Sequence, residues 1–113
     1  MNRKADNYPI FSHWYKTLDW ILNLAERLPK SVRFSLAKRL MELSLEIVEL
    51  IIEVIYSKDR KYKLQKVNLN LEKLRILLRV CHDRRYISAK QYAYISEQIN
   101  TTGKMCGGWM NTK

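Results

Sequence analysis

The 113-residue chain contains only three Gly and two Pro. A sandwich or barrel of short strands needs turn residues at frequent intervals, so this scarcity excludes it. With 47% apolar residues the chain is not disordered either. Long uninterrupted apolar runs are also missing. The most apolar stretch, Leu43 to Tyr56, is broken by Glu46, Glu49 and Glu53 and is shorter than the roughly 20 residues of a membrane span. The opening MNRKADNYPIFSHWYK has neither the apolar core nor the small-residue cleavage site of a secretory signal, so a cytoplasmic protein without a membrane partner is expected. Cys81 and Cys106 lack CxxC spacing and are expected as reduced thiols; their pairing geometry cannot be read from sequence.

Catalytic signatures are equally scarce. No GxSxG, HExxH, P-loop or Gly-rich phosphate cradle occurs, and the histidines are His13 and His82 alone. Di-iron sites in helical bundles use Glu-x-x-His pairs, yet neither histidine has a Glu three residues before it. Glu42, Glu46, Glu49 and Glu53 share one stripe, but on a narrow polar face that suits solvent or a basic neighbour better than a metal. No catalytic residue, metal ligand or cofactor is expected.

What the chain has in abundance is helical periodicity. A first helix is predicted over 12–28, with Ser12 as N-cap and Trp14, Leu18, Ile21, Ala25 and Leu28 on one buried stripe. Pro29 stops it and suits the first turn of a second helix over 30–56. Asp59 is placed to cap a third, 59–83, whose seam is Leu64, Val67, Leu71, Leu74, Leu78 and Cys81. Ser88 with Gln91 three residues on forms a capping box for a fourth, 88–106, with Tyr92, Ile95 and Ile99 on its seam and Gly107 and Gly108 to end it. Connections this short predict one all-α domain over 1–113, an antiparallel up-down-up-down four-helix bundle.

Two of these helices have a second apolar face. Opposite the core stripe of the second helix, Leu36, Leu40, Leu43, Ile47, Leu50 and Val54, lie Phe34, Met41, Leu45, Val48 and Ile52. Opposite the seam of the third lie Tyr62, Leu69, Ile76 and Val80. A second stripe left in water would form a patch calling for a partner, so a homo-oligomer is expected through Met41, Leu45, Val48, Ile52, Tyr62, Leu69, Ile76 and Val80. The alternative is that both helices are covered on two sides within one subunit.

Charge is unevenly spread. Up to Tyr56 the chain carries 8 Lys/Arg against 7 Asp/Glu, and after it 13 against 4, so the net +10 falls as +1 and +9. Lys61, Arg75, Arg79 and His82 project from one flank of the third helix, and Lys66, Lys73 and Arg84 from the other. Arg84, Arg85 and Lys90 cluster at the following turn. A one-sided, Arg-containing excess favours a polyanion, and the planar guanidinium fork suits phosphate. Trp14, Trp20 and Trp109 offer stacking surfaces, although the spacing of Trp14 and Trp109 suits core or helix-end packing.

The strings FSHWYKTLDWIL, LPKSVRF, ELIIEVIYSKDR, NLNLEKLRILLRVCHDRRYIS and QYAYISEQINTTGKMCGGW together resemble the accessory variability determinant proteins of diversity-generating retroelements, over roughly residues 8 to 110. Small four-helix proteins encoded in ribosomal-RNA intervening sequences are a related group. The resemblance implies a four-helix protomer in a barrel-like homopentamer. It also implies partners: the element's reverse transcriptase, its template RNA and the cDNA. Reverse transcription would belong to the partner, and the basic positions carried over are Arg75, Arg79, Arg84 and Arg85, with Lys61 and Lys73. Two other readings stay open, an intervening-sequence protein and a protein-interaction scaffold without direct nucleic-acid binding.

Overall fold

A computed structural model describes residues 3–110; residues 1–2 and 111–113 of the expected domain lie outside it. Four α-helices follow one another: α1 Pro9–Glu26, α2 Lys38–Ile55, α3 Arg60–Asp83 and α4 Ala89–Met110. Each packs on its neighbours in sequence, and α4 closes back on α1. The architecture is an all-α four-helix bundle with no strand among the described residues.

The core follows most of the apolar stripes that the periodicity marks, but Ile51 and Ile55 join it from outside the expected stripe of the second helix, and Leu36 and Tyr92 are only half-buried at its edge. Trp14, Ile21, Leu40, Leu43, Ile47, Ile51, Leu64, Leu71, Leu74, Leu78, Ile95 and Ile99 are its fully buried large side chains. The Trp14 indole N–H donates to the Ser44 carbonyl at 3.0 Å, while the Ser44 hydroxyl donates to the Leu40 carbonyl at 2.6 Å. Both buried polar side chains are thereby satisfied. One buried donor is not: Asn70, on the core face of α3, leaves its Nδ2 without a partner among the described residues.

Helix limits differ from the sequence expectation in four places. α1 starts at Pro9, not Ser12, because proline at the first helical position gives up an N–H that would be unpaired there; the Ser12 N–H donates to the Tyr8 carbonyl within the first turn. The second helical stretch is not one α-helix. A 3-10 turn, Lys30–Val32, and a π-helical segment, Arg33–Ala37, lead into α2, absorbing an extra residue before the core register begins. Asp59 precedes α3 but makes no side-chain cap; instead the Ser57 hydroxyl oxygen accepts the Asp59 N–H. Gly107 and Gly108 lie inside α4, not at its end. Packing around them holds the helix: Cys106 is buried with its thiol donating to the Leu64 carbonyl, and Trp109 stacks on Tyr8 at 5.4 Å.

At the start of α4 the reciprocal capping bonds are both present. Ser88 N–H donates to Gln91 Oε1 at 2.8 Å and Gln91 N–H to Ser88 Oγ at 3.1 Å. Ser88→Ala is expected to lower stability by about 1 kcal/mol. Asn70→Leu is expected to raise it by about 1–3 kcal/mol, because it removes an unsatisfied buried donor. Urea denaturation monitored by helical circular dichroism reads both.

Candidate nucleic-acid interface

Rotation of α3 sorts its charges. With the seam facing inward, Lys61, Arg75, Arg79 and His82 lie on the α4 side, and Lys66 and Lys73 on the α2 side. The α4 side is partly tied down. Arg75 donates from Nε to Asn100 Oδ1 at 3.2 Å and from Nη1 to Glu72 Oε1 at 3.1 Å. It also lies over Gly103, where an added Cβ would come within 3.3 Å of Arg75 Nη2. His82 stacks on Tyr92 with centroids 4.6 Å apart. Arg79 is exposed and has no ion pair among the described residues.

The six basic positions do not form one compact site. Lys61 lies in the first turn of α3 and lines a cavity of about 490 Å³ with Lys58, Arg60 and Trp109. Arg84 follows the last turn, about 35 Å away at 1.5 Å per residue. Lys73 borders a separate groove between α2 and α3 with Arg39, Leu43 and Leu77. Only Arg79, Arg84 and Arg85 share the far end of α3.

The turn after α3 has a feature that the sequence did not signal. Arg85 N–H donates to the His82 carbonyl at 2.9 Å and Tyr86 N–H to the Cys81 carbonyl at 2.8 Å, the paired bonds of a Schellman motif. Arg85 takes the left-handed position, φ 62°, where glycine or asparagine is the usual occupant. An arginine there costs roughly 1–2 kcal/mol, so a cation is held at a place that packing alone would give to glycine. Arg84 is steered beside it by Tyr86, whose hydroxyl accepts the Arg84 Nε–H at 3.1 Å.

The second apolar faces are only partly outward, because Met41 and Val48 pack against the protomer's own core. Leu69 is 56% exposed and Tyr62 59%, with Leu45, Ile52 and Ile76 also exposed and Met41, Val48 and Val80 half-buried. Phe34, at the π-helical turn, is exposed as well. On α2 the glutamate stripe is also outward; Glu53 pairs with Lys63 at 2.9 Å and Glu42 with Arg39 at 3.2 Å. Among the described residues no three His, Cys, Asp or Glu side chains converge as a metal site would require, and no helix is long and apolar enough to cross a membrane.

Trp14 is a core residue and Trp109 packs at the end of α4. Trp20 is different. It is half-buried on α1, with its ring centroid 5.1 Å from that of Tyr94 on α4. No local pattern links these two positions, so their pairing could not be read from either helix alone.

A family model described as bAvd-like matches residues 10–113. No curated protein matches the chain.

The two cysteines are free thiols inside the bundle. Burial pushes the Cys106 thiol from its ordinary value of 9.0 up to about 11, and raises Cys81 in the same direction. Both are expected to resist alkylation at pH 8 until the protein is unfolded. Between pH 9 and 11 the unfolded chain loses the Cys106 proton while the folded chain keeps it. The unfolded state then binds fewer protons, so stability falls as pH rises through that window. Below it both states hold the proton and Cys106 adds no slope. Denaturant midpoints of Cys106→Ala should vary less steeply with pH across the same window.

Proposed function

The chain belongs to the bAvd-like family, and we propose that it works as the non-catalytic accessory variability determinant of a diversity-generating retroelement. In this reading it binds the element's reverse transcriptase and its template RNA or cDNA through a basic surface and supports mutagenic reverse transcription by that partner. The supporting observation is the far end of α3, where Arg79 is unpaired among the described residues and Arg85 takes a backbone conformation that disfavours arginine. Phosphate contacts of this kind position a strand without reading its sequence.

We also propose that the protein acts as a homo-oligomer, barrel-like and pentameric on the pattern of the family. Support comes from Leu45, Ile52, Tyr62, Leu69 and Ile76, the members of the α2 and α3 stripes that the protomer leaves exposed. A contact pairing the α2 stripe of one protomer with the α3 stripe of the next, not reciprocated by the same pair, would be head-to-tail, the type of interface that closes into rings. Assembly through Leu69 and nucleic-acid contact through Arg79, Arg84 and Arg85 then use different parts of α3 and the turn after it, whereas Lys73 shares a groove with Ile76.

Arg85→Gly is the sharpest test. Stability should rise by about 1 kcal/mol as the left-handed strain is relieved, while affinity for single-stranded RNA falls. If about 5 phosphates are bound, the wild-type log–log salt slope should be near −3.5, flattening by about 0.7 for each phosphate no longer neutralised. Arg79→Glu should weaken binding with the fold intact. Unchanged RNA affinity in both folded variants would sink the nucleic-acid reading, and reverse-transcriptase capture that survives nuclease would then favour a scaffold. For assembly, Leu69→Lys and Ile76→Lys should lower the mass read by light scattering without loss of helical signal. An unaltered mass would remove α3 from the interface.

A further inference from the structure

Between α1 and α4 lies a cavity of about 270 Å³ lined by Trp20, Asn23, Leu24, Arg27 and Gln91. Its size suits a single planar heterocycle better than a larger ligand. Trp20 supplies an aromatic wall, extended outward by Tyr94, which is 46% exposed and tilted 41° to it. Its polar groups are fixed in direction by bonds already made. Gln91 spends its carbonyl oxygen on the Ser88 N–H, which leaves the side-chain NH₂ as a donor held in one orientation. Asn23 spends its NH₂ on the Asp19 carbonyl at 3.0 Å, which leaves Oδ1 as an acceptor. Arg27 on the rim adds a charge without an ion pair among the described residues, and Lys90, four residues before Tyr94, lies on the same face of α4.

We infer that this cavity receives one unpaired base of a single nucleic-acid strand, stacked on Trp20 with Tyr94 at its outer edge, and with the flanking phosphates met by Arg27 and Lys90. Three features converge on that ligand: a π-face beside a half-open slot, one donor and one acceptor suited to a base edge, and cations at the rim. No carboxylate lines the cavity, although Asp19 stands behind Asn23. The Watson–Crick edge of every base offers an adjacent donor and acceptor, so the site binds bases without strong preference. A duplex, whose bases are stacked and paired, is excluded. The inference rests on the nucleic-acid reading above and adds to it a location away from α3.

The test uses the full chain and a uridine decamer with one central 5-iodouridine. Ultraviolet irradiation should crosslink it to Trp20 or Tyr94, identified by peptide mapping. Tyr94→Ala removes an exposed ring and should weaken decamer binding by about fivefold or more, with little change for a duplex of equal length. Gln91→Glu keeps the cap, since a glutamate at this position accepts the same Ser88 N–H, but it replaces the donor with a negative charge. It too should weaken the decamer while leaving thermal stability unchanged. Wild-type affinity in both variants, with crosslinks mapping elsewhere and Arg85→Gly still weakened, would overturn the cavity assignment and leave the nucleic-acid reading intact. Failure of the wild-type protein to bind any strand would overturn both.

Discussion

The rotation of α3 about its own axis is the constraint on which the surface of this protein depends. Leu64, Val67, Leu71, Leu74, Leu78 and Cys81 are all sealed from water against the rest of the core. A turn of one residue, 100° on the wheel, would expose most of that seam and bury lysine and arginine in its place. The outer faces have no comparable hold on the structure. They lie where the seam puts them: Leu69 and Ile76 outward, Arg75 against α4, Lys73 against α2.

Fixing the helix in this way separates properties that a small protein would otherwise confuse. An exposed apolar stripe and a cationic flank make opposite demands on water. On α3 they are divided by angle around the helix and, for Arg84 and Arg85, by distance along it. Arg75 shows that position alone does not make a cation available, since Glu72 and Asn100 already hold it. Arg85 shows the converse, a charge maintained at a site where the backbone would be more comfortable with glycine.

The sequence made the seams legible because burial repeats every three or four residues and leaves a pattern within each helix. The Ser88–Gln91 cap was legible because both partners lie three residues apart. Features decided between helices were not. Gly107 and Gly108 read as a stop, yet Cys106 and Trp109 on either side are held by Leu64 and Tyr8 from distant parts of the chain. The pairing of Trp20 with Tyr94, and the cavity beside it, arises only when α4 closes on α1. Arg85 gave no warning of its conformation, because the usual marker of a left-handed residue is the glycine that is missing there. The basic cluster was visible as charge, but not as three separate regions spread along about 35 Å of helix.

The π-helical segment Arg33–Ala37 has a consequence for how this fold can change over time. A π turn accommodates one residue more than the α turn it replaces. Loss of one of its exposed residues, Arg33, Phe34 or Ser35, would convert the segment to ordinary α-helix and leave Leu40, Leu43 and Ile47 facing the core as before. A deletion a few positions later, inside α2, would swing every following side chain to a new direction. The link between α1 and α2 is thus a place where chain length can drift among descendants of this protein without the bundle losing register.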